Sequence, residues 1–71
     1  MPASEPVHVD ARGMKCPWPA LRAARAMRSA DSVTIDADDP ITPGELQALA
    51  QQQGWTFAAA GEHRFLLTRP H

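Results

Sequence analysis

Cys16 is the only cysteine among 71 residues, and its neighbours suit a thiol that reacts. It lies in the run Gly13-Met14-Lys15-Cys16-Pro17-Trp18-Pro19, which leads into Ala20 to Ser29, a stretch of good helix formers. Proline is favoured at the first helical position, because the N–H it lacks would have had no acceptor there. Pro17 is expected at that position, with Pro19 in the same turn, where its missing N–H costs little. The two rings would shape the backbone and hold Cys16 at the mouth of a helix. A thiolate there faces the positive end of the helix dipole, and Arg12 and Lys15 add positive charge. The expectation is an exposed, reactive thiol of lowered pKa. Its chemistry would be attack on sulfur, either thiol–disulfide exchange or the relay of a sulfur atom as a persulfide. A single cysteine favours the relay, since no second thiol in the chain can collapse a persulfide into an internal disulfide. Free cysteines are also among the most buried residues, so a packing role competes. The place of Cys16 in a connection rather than an apolar stripe weighs against packing.

Other residue types offer less. His8, His63 and His71 have no ligand spacing with Cys16, and one cysteine cannot build an all-cysteine cage, so no metal site is expected. Asp38 and Asp39 precede Pro40 and read as a turn rather than an acid/base pair. Asp10 is expected to steady the Cys16 loop by accepting backbone N–H bonds, and Gly13 to turn it. Trp18 reads as an exposed anchor for a partner. Arg22, Arg25 and Arg28 recur every third residue along the helix, and with Lys15 they form a candidate docking surface. The competing reading is a solvated face whose stems cover the apolar edge.

These groups need elements to position them. Val7 to Ala11 alternates apolar and polar, the period of a half-buried strand. Leu21, Ala24 and Met27, with Ala20 beside them, predict the buried stripe of the first helix. Val33, Ile35 and Ala37 mark a second strand, ended by Asp38-Asp39-Pro40. Thr42-Pro43-Gly44-Glu45 has the form of a capping box opening a second helix, with Leu46, Leu49 and Ala50 as its apolar face and Gly54 as its terminator. Trp55-Thr56-Phe57 opens a third strand, Gly61-Glu62 makes a two-residue hairpin turn, and His63 to Thr68 form the fourth strand. The order β-α-β-α-β-β predicts an α/β (α+β) two-layer sandwich. Its first two strands would be joined by a parallel crossover, and two helices would cover one face of a four-stranded mixed sheet.

Composition bounds the rest. A chain of 7.7 kDa is a single domain that buries only about 60% of its unfolded surface. Apolar residues make up 44%, ordinary for a globular chain, which excludes disorder. A net charge of −1 excludes bulk attraction to nucleic acid or anionic lipid. The charge is uneven: residues 1–30 hold Arg12, Lys15, Arg22, Arg25 and Arg28, whereas residues 31–62 hold no Lys or Arg and are rich in Asp and Glu. No apolar run approaches a membrane span. Residues 1–6 are expected to be a loose end, with one domain over 7–71. Met1 to Glu5 lack the basic and apolar stretches of a signal peptide, so a cytoplasmic protein is expected.

Asp10-Ala11-Arg12-Gly13-Met14-Lys15-Cys16-Pro17-Trp18-Pro19 resembles the signature of the TusA (SirA-like) family of small sulfur carriers: Asp, two residues, Gly, two residues, then Cys-Pro-x-Pro. Ala37-Asp38-Asp39-Pro40 is similar to the family's second motif. The resemblance runs from Val7 to about Thr68. It departs at Ser29-Ala30-Asp31-Ser32, where the family often has a glycine turn, and at Glu45-Leu46, a mild change from the family's acidic residue and isoleucine. It implies that Cys16 carries sulfur as a persulfide, the covalent sulfur being its only cofactor. A cysteine desulfurase or other donor would load it, and an acceptor protein would receive the sulfur. The destinations it implies are tRNA 2-thiouridine, cofactor maturation or sulfur metabolism. The protein would be a co-substrate more than an enzyme, with no direct binding of nucleic acid. The alternatives are a redox or regulatory interaction module working through Cys16, and a purely structural interaction domain in which Cys16 is dispensable.

Overall fold

Alternation of apolar and polar side chains builds the sheet, and the register shows which face the core takes. The computed structural model describes residues 6–70. The elements run β1 (Val7–Asp10), α1 (Trp18–Ala26), β2 (Ser32–Asp36), α2 (Thr42–Gln53), β3 (Thr56–Ala59) and β4 (Arg64–Thr68). They form a two-layer α/β sandwich whose mixed sheet has the strand order β1-β2-β4-β3. β1 lies parallel to β2, and β4 runs antiparallel to both β2 and β3. Val9 opposite Ile35, Val33 opposite Leu67, and Ile35 opposite Phe65 put one apolar set on the helix-covered face. The other face is polar: Asp36 takes a two-pronged bond from Arg64 at 2.7 and 2.9 Å, and His8 bonds Thr34 at 2.9 Å. Of the expected loose end, Pro6 is exposed and residues 1–5 lie outside the described residues, as does His71.

Three expectations about α1 are corrected. The buried residues step by four, through Pro19, Ala23 and Met27, while Leu21 is 52% exposed. Steps of three drift around a helix of 3.6 residues per turn, so Leu21 leaves the sheet for the rim. Pro17 is the residue that caps the helix and Pro19 is its second residue. The helix also ends at Ala26 rather than Ser29. Arg28 and Ser29 bond the carbonyls of Arg25 and Ala26, three residues back, which tightens the last turn.

The capping box at α2 does not form. Ile41 is the cap and Thr42 the first helical residue, with its hydroxyl buried and unbonded. Asp39 takes over, its side chain accepting the Ile41 N–H at 3.0 Å and its carbonyl the Thr42 N–H at 3.0 Å. At the other end Gly54 terminates the helix as expected, with φ +76°. Both its N–H and that of Trp55 point to the Ala50 carbonyl, so β3 starts one residue later than expected. The hairpin is also longer than two residues. Ala60 pairs with the Arg64 carbonyl at 2.8 Å, leaving Gly61, Glu62 and His63 as the loop. Gly61 is not left-handed, and the His63 carbonyl is taken by the Ala37 N–H at 2.9 Å, which ties the loop to the end of β2 and keeps His63 out of β4.

Candidate functional site

The β1–α1 connection carries Cys16, and two carboxylates from the end of β2 hold it in place. Gly13 turns the chain with φ +80°, a conformation that favours glycine, and its N–H meets both oxygens of Asp38 at 3.0 and 3.2 Å. The Cys16 N–H donates to Asp39 Oδ2 at 2.7 Å, while the other oxygen of Asp39 holds Ile41. One side chain therefore fastens the cysteine to the start of α2. These two bonds draw the Asp39 carboxyl below the usual carboxylate range, Ile41 having the larger effect and Cys16 the next. The Trp18 N–H closes the turn on the Lys15 carbonyl at 2.9 Å, and the Cys16–Pro17 peptide is cis.

Asp10 does part of what was expected of it. It accepts the Arg12 N–H at 3.2 Å, but its main partner is the Arg12 guanidinium at 2.9 and 3.1 Å. That side-chain bond, then the backbone one, brings its pKa down to about 2. The Cys16 loop itself is held by Asp38 and Asp39, whose role the turn-like reading of Asp-Asp-Pro missed. Arg22 helps from α1 by donating to the Asp10 carbonyl at 3.3 Å. Arg25 and Arg28 are exposed, as is Lys15.

The thiol is half-buried rather than exposed, and its pKa is pushed up to about 11 instead of down. The hydrogen-bonding carboxylate of Glu45 is the largest cause, followed by burial and by the negative charges of Glu45 and Asp39. The attraction expected from the helix mouth is weak for a structural reason. Pro17 and Pro19 have no N–H, and that of Trp18 is taken, so few free donors remain to favour an anion. Arg12, one of the expected nearby cations, is turned onto Asp10. Glu45 carried a signal in the sequence, but one that pointed to a capping box instead of a thiol 29 residues away.

Large apolar side chains are exposed on the two helices that flank this connection. Trp18 is 60% exposed and Leu21 52% on α1, and Ile41, 59% exposed, stands at the start of α2 beside the Asp39 bridge. Among the described residues no three His, Cys, Asp or Glu side chains are grouped to hold a metal ion.

Fold and site together define a small βαβαββ protein that presents one thiol where a loop enters its first helix. A family profile described as Sulfurtransferase TusA matches residues 7–69, and the chain belongs to this family of small sulfur carriers. A candidate sulfur carrier protein of Neisseria meningitidis serogroup A is 36% identical over 63 residues, covering 84% of this chain and 85% of that one. Its counterpart from serogroup B matches to the same extent. The crystal structure of a SirA-like protein from Desulfitobacterium hafniense shares the fold with a TM-score of 0.75 at 23% identity, over 92% of this chain and 99% of that one.

Proposed function

We propose that Cys16 accepts sulfur as a persulfide from a cysteine desulfurase or another donor and passes it to an acceptor protein. The observation that carries this reading is the position of Cys16. It is the only thiol of a TusA-family chain, and it is fixed by Asp39 on a connection between two layers rather than packed among the core side chains. In loading, Cys16 Sγ bonds the outer sulfur of the donor's persulfide. The donor's S–S bond breaks, its cysteine leaves with the electron pair, and the Cys16 proton passes to that leaving thiolate or to water. Unloading repeats the exchange with an acceptor thiolate as nucleophile and Cys16 as leaving group.

The exposed side chains of Trp18, Leu21 and Ile41, together with Lys15, Arg22 and Arg25, are the surface proposed to meet donor and acceptor. The protein acts in the cytoplasm as a co-substrate, its sulfur bound for tRNA 2-thiouridine, a cofactor or sulfur metabolism. No described helix is long and apolar enough to cross a membrane. The second reading is a redox or regulatory interaction module that works through the same thiol.

The test is incubation with a cysteine desulfurase and free cysteine, followed by intact-mass spectrometry. The wild type should gain one sulfur atom, removable by reductant, and Cys16→Ser should gain none while keeping its circular dichroism. An unloaded wild type whose Cys16 still alkylates would move the redox or interaction reading ahead of this one.

A further inference from the structure

The ends of both helices away from Cys16 border a hollow that the sulfur exchange does not use. It has a volume of about 430 Å³ and is lined by Ala24, Met27, Arg28, Gln53, Trp55 and Arg69. That volume lies within the roughly 300–1,000 Å³ of small-molecule sites. Met27 and Arg28 follow the last residue of α1, Gln53 is the last residue of α2, and Arg69 follows β4. Cys16 lies before the other end of α1, a helix of nine residues and so about 13 Å long. Arg69 is set in place by several contacts. Its N–H donates to the Asp31 carbonyl at 2.7 Å, its Nη2 donates to the Met27 carbonyl, and its guanidinium lies over the Trp55 ring, 5.8 Å from the centroid. The side chain is therefore oriented before a ligand arrives, which lowers the cost of binding one.

We propose that this hollow binds a small organic acid, its carboxylate shared by Arg28 and Arg69 and its planar apolar body set against Ala24 and the Trp55 ring. Arg28 and the Gln53 amide are exposed at the same hollow, and no carboxylate is among the lining residues. Asp31, its side chain 78% exposed and 3.9 Å from Arg69 Nε, stands outside the lining. A concave surface lined by cations without acidic partners draws in an anion. The planar guanidinium fork matches a carboxylate with two parallel N–H bonds, which a simple point charge does not. The indole and Ala24 add apolar surface, so an acid with a ring gains more there than a bare carboxylate. The site gives the protein a ligand that touches neither Cys16 nor its loop.

The test is titration of Trp55 emission in Trp18→Phe, which leaves Trp55 as the one tryptophan, with benzoate, benzamide and acetate as probes. Benzoate should give a saturable change. Benzamide, the same ring without the charge, and acetate, the charge without the ring, should give none at equal concentration. Arg28→Gln keeps the Arg69 contacts and should bind benzoate about tenfold more weakly, the loss of one charged hydrogen bond. Asp31→Asn removes a competing anion from Arg69 and should bind benzoate more tightly. Arg69→Gln also gives up the bond to Met27, so Arg28→Gln is the variant that decides. Benzoate that never saturates, benzoate and benzamide titrating alike, or unchanged binding in an Arg28→Gln variant with intact circular dichroism would each overturn the site. The titration uses neither thiol nor sulfur donor, so its failure leaves the persulfide reading standing, and a carrier that fails to load leaves this site standing.

Discussion

At the scale of single residues, the site is a cysteine governed by carboxylates. Asp38 and Asp39 grip the backbone on either side of the Lys15 turn, at Gly13 and Cys16, while Glu45 is the largest cause of the raised thiol pKa. The ionised form of Asp39 is the one the fold favours, so its contribution is complete above the ordinary carboxylate value of 3.8 and is lost as pH falls through its lower folded value. Asp39→Ala should therefore lower the melting temperature at neutral pH and lose less on acidification than the wild type does. It should also speed hydrogen exchange at the Cys16 amide more than at the strand amides of β2. Equal exchange at Cys16 in the two proteins would show that the loop keeps its place without the carboxylate. The thiol has the opposite sign. Its folded pKa is raised, so its contribution is whole below the unfolded value of 9.0 and fades as pH climbs towards about 11.

At the scale of elements, the helices owe their ends to backbone demands that particular residues meet. Gly54 is left-handed, and a Cβ built there meets no atom within 4 Å. Gly54→Ala should therefore cost only the backbone penalty, about 1 kcal/mol. Chemical denaturation should show that loss with an unchanged m-value, and a loss several times larger would mean that a packing contact was missed. The start of α2 shows the reverse case, where a local motif yields to its surroundings. Thr42 and Glu45 have the types and spacing of a capping box, yet Asp39 caps the helix from outside it while the Thr42 hydroxyl and Glu45 Oε1 stay unbonded. A cap that also binds Cys16 satisfies donors of two segments with one side chain, which the local box cannot do.

At the scale of the whole molecule, a core this small rests on few side chains. Met27, Ile35, Leu46, Leu67 and Val33 are fully buried, and they join both helices to the two central strands. Met27 lies at the end of α1, where the Arg69 guanidinium bonds its carbonyl and stacks over the Trp55 ring at 5.8 Å. Met27→Ala should cost about 2–5 kcal/mol, a large part of the stability of a domain this size. Thermal unfolding should show a fall of many degrees. A fall of only a degree or two would mean that the neighbouring side chains close the space left behind.

The order of elements was legible from Val7 to Thr68, because strand and helix periods, Gly54 and the break at Asp38-Asp39-Pro40 are written in neighbouring residues. The place of Cys16 between β1 and α1 was legible for the same reason. Which face of α1 is buried was not, since Leu21 and Ala23 are both apolar and only packing on the sheet separates them. Nor was the state of the thiol. Its neighbours in sequence, Arg12 and Lys15, are cations, and they argue for a thiolate. Its neighbours in space, Asp39 and Glu45, lie 23 and 29 residues away and argue for a thiol. Sequence alone pointed to Cys16 as the residue proposed to carry the chemistry, through local motif and period. The tertiary structure decided its charge, because electrostatic interaction depends on distance through space, and the sheet brings α2 to the cysteine.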